Sequence, residues 1–205
     1  MSISNTSITQ RGASHSSLQP FAKALLRLIG WQVEGTLPDV PKFVLIVYPH
    51  TSNWDLPIGL ICAHALGLLS GWRYGYMAKD SVFRGPSGPF FRWIGAIPID
   101  RRSATNVVDQ MVAVFDHYDT FMVAITPEGT RSNTPYWKSG FYHIAMGAKV
   151  PIMLAFLDYK RHVVGLGPMF TPSGDINADM ELIRQFYGGV TAKFPHKAGE
   201  IRFRE

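Results

Sequence analysis

Cysteine is almost absent from this chain: Cys62 stands alone in 205 residues. No internal disulfide can form, and a reducing, cytosolic setting is the default expectation. Long apolar runs are missing too. The longest, Leu56 to Gly71, is interrupted by His64 and falls short of the roughly 20 residues needed to cross a bilayer, so it reads as a buried helix. No charged-then-apolar leader precedes a small-residue cleavage site. Residues 1–17 are instead rich in serine and threonine and read as a flexible tail ahead of one domain over 18–205. A G-x-S-x-G nucleophile elbow is lacking, which removes the commonest serine acyl-enzyme arrangement. His15, His64, His117, His143, His162 and His196 show no metal-ligand spacing, so neither a metal nor a cofactor is expected.

Acidic residues are the scarcer charge, 15 against 20 lysines and arginines, for a net charge of +5. That sign favours an anionic partner or surface. The basic residues are not gathered into a run, and no nucleic-acid motif is present, so an anionic lipid surface suits them better than nucleic acid. With 46% hydrophobic residues the chain has ample material for a packed core. Leu18, Phe21, Ala22, Leu25, Leu28 and Ile29 recur at helical spacing, with Gln19, Lys23 and Arg27 between them. Two uses fit this helix over about 18–31: packing on the domain, or insertion into a membrane surface with Trp31 at its end.

Beyond it, strand-like and helix-like segments alternate. Strands are expected at Lys42 to Tyr48, Trp72 to Met77, Ala96 to Ile99, Phe121 to Ile125, Val150 to Phe156 and Val163 to Leu166. Helices are expected at 55–69, 88–94, 104–118, 138–147 and 178–188. This alternation predicts a single α/β domain with a mostly parallel central sheet flanked by helices. Ligands in such folds sit beyond the carboxyl ends of the strands.

Two polar runs fall at those ends. The first is Pro49-His50-Thr51-Ser52-Asn53-Trp54-Asp55. Within one continuous helix His50 and Asp55 would point roughly 140° apart, but they can meet if His50 lies in the loop and Asp55 in the first helical turn. An aspartate on one ring nitrogen leaves the other free to take a proton. The alternative is that Ser52-x-x-Asp55 is a variant of the capping box and His50 is incidental. The second run, Pro127-Glu128-Gly129-Thr130-Arg131-Ser132, combines a glycine, two hydroxyls and a guanidinium, which suits a phosphate. A third, Gly95 to Arg102, places arginines at another strand end.

Taken in order, these blocks resemble the glycerolphosphate and lysophosphatidic acid acyltransferases: His50-x4-Asp55, Gly95-x-Ile97-x-Ile99-Asp100-Arg101, Pro127-Glu128-Gly129-Thr130-Arg131-Ser132 and Val150-Pro151-Ile152. Lys138-x-Gly140 also sits where that family has a lysine-glycine helix start. The resemblance covers about residues 43–157 and implies a glycerolphosphate acyltransferase-like fold. It implies acyl transfer from acyl-CoA or acyl carrier protein, as co-substrate, to the hydroxyl of a lysophospholipid such as 1-acyl-glycerol-3-phosphate. His50 would be the general base and Asp55 its orienter; Arg101, Glu128, Gly129, Thr130 and Arg131 would hold the acceptor, with help from Lys79. Attachment to the cytoplasmic face of a membrane is expected through residues 18–31 and through Phe90, Phe91 and Trp93. A lipid hydrolase using the same dyad on water, and a non-catalytic module binding anionic lipid, are the alternatives.

Overall fold

The computed structural model of the chain describes residues 18–86, 88–93, 95–99 and 104–203. The tail over 1–17 and the arginine pair Arg101-Arg102 lie outside them. Seven strands form one sheet: β1 (Gln32–Glu34), β2 (Lys42–Tyr48), β3 (Arg73–Lys79), β4 (Ala96–Ile99), β5 (Phe121–Ile125), β6 (Ile152–Asp158) and β7 (Val163–Phe170). The helices are α1 (Leu18–Leu28), α2 (Asp55–Leu66), α3 (Leu68–Gly71), α4 (Gly88–Trp93), α5 (Ala104–His117), α6 (Gly140–Ala148) and α7 (Ile176–Tyr187).

The strand order is β1-β7-β6-β2-β5-β3-β4. β2 is therefore central, paired in parallel with β5 on one flank and β6 on the other. Its sequence KFVLIVY is what a strand covered on both faces requires. Val44, Ile46 and Tyr48 face the cluster formed with Met111, Phe141 and Ile183, while Phe43 and Leu45 face the opposite one with Leu68 and Met122. This is the period-2 division of a pleated strand.

The β6–β7 pair is the exception: β7, and β1 parallel to it, run against the other five strands. The connection from Asp158 to Val163 is too short for a crossover, so only a hairpin can form. The Asp158 carboxylate closes it by accepting from the N–H groups of Lys160 and Arg161 at 3.0 and 3.2 Å. β1, which propensity does not mark, exists because it pairs with β7.

The amphipathic first helix packs on the domain: Ala22 and Leu26 are buried. Trp31 corrects an expectation. Rather than facing a lipid surface it is 5% exposed, with its ring edge-on to Tyr159. The Leu56 to Gly71 run is likewise only half as expected. A glycine in the left-handed region, Gly67 with φ 83°, splits it into α2 and α3, and Leu56 and Leu60 face outward.

Candidate active site

Because β2 and β5 are neighbours, the loops leaving their carboxyl ends lie side by side. One carries His50 and the other Glu128. Tyr48 ends β2, His50 follows in the loop, and Asp55 opens α2. The Asp55 carboxylate folds back on that loop. Its Oδ2 accepts from the Thr51 and Ser52 N–H groups, both at 2.8 Å, and lies 3.3 Å from His50 Nδ1. The cap and the ion pair are thus one arrangement: satisfying the loop's free amides is what aims the carboxylate at the imidazole. Ser52 serves the loop, its Oγ accepting from the Trp54 N–H at 3.1 Å.

Burial would push the Asp55 carboxyl upward. The hydrogen bonds from His50, Tyr159 and Ser52 outweigh it and hold the group below its ordinary value. Asp55 therefore stays ionised wherever His50 can work as a base. With Nδ1 committed to Asp55, Nε2 is the ring nitrogen left to take a proton.

Glu128 differs from its expected role. It is 1% exposed, and both carboxylate oxygens are occupied by backbone: Oε2 accepts from His50 N–H at 2.7 Å and Oε1 from Gly199 N–H at 2.9 Å. The side chain ties the histidine loop to the C-terminal segment and leaves no oxygen for a headgroup. Desolvation raises its pKa despite those two bonds. Gly129 has φ 66°, and a Cβ there would stand 2.9 Å from Lys138 Nζ. The positive φ is what favours glycine there; the lysine end could shift for a Cβ. Thr130 Oγ1 accepts from Ser132 N–H at 3.2 Å, which shapes the loop, and Arg131 is exposed.

Lys138, read from the sequence only as part of a helix start, lies against Gly129 in this loop. Lys138 and Arg131 both border a cavity that His50 also borders. Sequence spacing alone could not place Lys138 there, since the intervening turn decides the return. Lys79 ends β3 with its backbone paired to β4; the Lys79 side chain, like Arg101, is outside the described residues.

Behind the dyad opens a cavity of about 1520 Å³, larger than the roughly 300–1,000 Å³ of most small-ligand pockets. His50, Asp55, Gly129, Arg131 and Lys138 border it, and Leu45, Val47, Leu66, Leu68, Tyr74, Met122 and Ala124 line its apolar part. Cys62 also borders it, with burial pushing its thiol up to about 12, so no thiolate nucleophile is available at neutral pH. The cavity border thus combines an imidazole held by a carboxylate with two basic side chains, and the interior is largely apolar, an arrangement suited to an anionic amphiphile.

A family model described as Acyltransferase matches residues 32–154. Among solved structures, the 1-acyl-sn-glycerophosphate (LPA) acyltransferase PlsC from Thermotoga maritima superposes with a TM-score of 0.55 at 16% identity, covering 87% of this chain and 81% of that one. No curated protein sequence matches significantly.

Proposed function

Because the chain belongs to the acyltransferase family, we propose that it transfers a fatty acyl group from an acyl thioester to the free hydroxyl of a lysophospholipid of the 1-acyl-glycerol-3-phosphate kind. The observation that carries this is the His50–Asp55 pair at 3.3 Å, set at the border of a largely apolar cavity that Arg131 and Lys138 also border. The acceptor's phosphate is held by Arg131, by the Thr130 hydroxyl and by Lys138, with Arg101 and Lys79 as further ligands by family resemblance. The thioester's acyl chain enters the apolar part of the cavity, which keeps water from the reacting carbonyl.

In the step itself, His50 Nε2 takes the hydroxyl proton as the oxygen attacks the thioester carbonyl. The new carbon–oxygen bond forms, the carbon–sulfur bond breaks, and the departing thiolate recovers the proton from the imidazolium. Asp55 orients the ring and stabilises its charged form. No acyl-enzyme is required. Acyl-CoA and acyl carrier protein both supply such a thioester and serve as co-substrates.

No helix among the described residues is long and apolar enough to cross a membrane. The acceptor lives in a bilayer, however, so the enzyme works attached to its cytoplasmic face. Outward residues of α1 and α2 supply the contact: Phe21 is 66% exposed, Leu28 82% and Leu56 55%. Phe90 on α4 is also exposed, at 56%. This is the composition of an interfacial surface, apolar side chains with lysine and arginine among them.

The test is a mass-spectrometric screen of lysophospholipid acceptors against labelled acyl-CoA and acyl carrier protein. A diacyl product with the wild type, and none with folded His50→Ala, is the expected result. Undiminished transfer by His50→Ala would refute the base assignment. Release of free fatty acid without acceptor, at a rate comparable to transfer, would favour the hydrolase.

A further inference from the structure

The dyad is braced from a second side. β6 lies on the flank of β2 opposite β5, and the register pairs Tyr48 with Phe156. The turn after β6 therefore rises beside the His50 loop and carries Tyr159 with it. The Tyr159 O–H donates to Asp55 Oδ1 at 2.6 Å, a short charge-assisted bond. The two oxygens of Asp55 thereby divide their work: Oδ2 meets His50 and two loop amides, while Oδ1 is held by the phenol.

Tyr159 is itself fixed on several sides. Its backbone N–H donates to Thr191 O at 2.9 Å, Trp31 stands edge-on with ring centroids 5.0 Å apart, and the Lys193 ammonium lies 5.7 Å over its ring. Burial and the Asp55 carboxylate both raise the phenol's pKa, so its proton remains available to donate. Tyr159 falls beyond residues 32–154, which carry the family match.

We propose that Tyr159 is a positioning residue for the dyad, anchoring Asp55 through Oδ1 so that Oδ2 stays directed at His50 Nδ1, and moderating how strongly that carboxylate attracts the imidazole proton. This rests on His50 acting as the base. A phenol hydrogen bond disperses the carboxylate's charge. Without the hydroxyl, Asp55 keeps only the Thr51 and Ser52 amides on Oδ2, Oδ1 loses its anchor, and the full carboxylate charge bears on His50 and favours the imidazolium. The other groups facing this centre are Lys193 above the phenol, the Ser52 hydroxyl beside it, Glu128 across the His50 loop, and Arg131 and Lys138 on the cavity border that His50 shares. His162 faces Trp31. Tyr159→Phe leaves all of these in place.

The experiment is an NMR titration of the His50 ring in wild type, Tyr159→Phe and Trp31→Phe, the signal being identified by its loss in His50→Ala. In Tyr159→Phe the His50 midpoint rises by about half a pH unit or more, while the other histidines do not move. Its kcat for transfer from acyl-CoA to 1-acyl-glycerol-3-phosphate falls roughly tenfold at unchanged KM. Trp31→Phe loosens the packing but retains the hydroxyl, so its midpoint stays at the wild-type value. An unmoved midpoint in Tyr159→Phe, or an equal shift in Trp31→Phe, overturns the proposal. The titration needs no turnover, so it is read even if His50→Ala were to retain activity and the base assignment failed.

Discussion

Glu128 shows how a residue in a signature block can act on backbone rather than on substrate. Its two oxygens hold the amides of His50 and Gly199, and its burial carries a measurable consequence. The folded-state pKa lies above the ordinary value of 4.5, so between those two values the folded protein binds more protons than the unfolded chain. Stability from this group therefore falls as pH rises through that window and is level above it. Glu128→Gln removes the titration. It also sets an amide NH2 against a backbone N–H, leaving both of these buried donors without an acceptor at a cost of about 1–3 kcal/mol or more. Urea denaturation across acidic pH should find the variant less stable and without the wild type's decline through that window. The Asp55 contribution has the opposite sign: its depressed pKa adds stability above the ordinary carboxylate value, and this is lost as pH falls through the folded one.

The elements that carry no catalytic group still determine where the dyad stands. α7 begins with Asp175, whose side chain accepts from the N–H groups of Asn177 and Ala178, and it ends at Tyr187. There the buried phenol lies 2.9 Å from Ala155 O and 3.2 Å from Ile46 O, clasping β2 to β6. Tyr187→Phe keeps the ring against Tyr48 and Trp137 but strips two buried carbonyls of a donor. Denaturation should report a loss of about 1–2 kcal/mol, with kcat unchanged well below the melting temperature. Equal stability of the two proteins would mean that the carbonyls are satisfied by the ladder alone. Helix and strand limits were legible for the same reason that these clasps were not. Lys42–Tyr48, Ala96–Ile99 and Phe121–Ile125 are local apolar patterns, whereas Tyr187 meets Ile46 across the whole fold. The shifts at β6 and β7 came from a hairpin that strand-helix alternation does not contain.

For the whole molecule, a net charge of +5 and an apolar face formed by α1 and α2 point the same way. Phe21, Leu28, Leu56, Leu60 and Trp54 are all exposed on or next to these helices, and α2 starts at Asp55 on the cavity border, so docking this side would bring the cavity to the lipid. Sedimentation with anionic vesicles at low salt should pull down the wild type, less of it as salt rises, and much less of Phe21→Glu/Leu56→Glu. Full recovery in the supernatant at low salt would sink the idea. Trp31 takes no part in this face. Its place in the helical spacing allowed either burial or lipid contact, and the choice was made by Tyr159, more than a hundred residues away in the chain.

Strand-helix alternation, the central KFVLIVY strand, the His50 and Asp55 pair and the glycine loop through Arg131 could all be read from the chain, because each depends on neighbours a few residues apart. Tertiary structure decided what those residues do to one another. Parallel pairing of β2 with β5 turned Glu128 from a headgroup ligand into the grip on the His50 backbone, and the return of the chain after β5 set Lys138 against Gly129. Pairing of β2 with β6 delivered Tyr159 to Asp55. The physical reason is common to both pairings: strand order is chosen by burial of whole faces, and only that order determines which loops meet at the carboxyl end of the sheet.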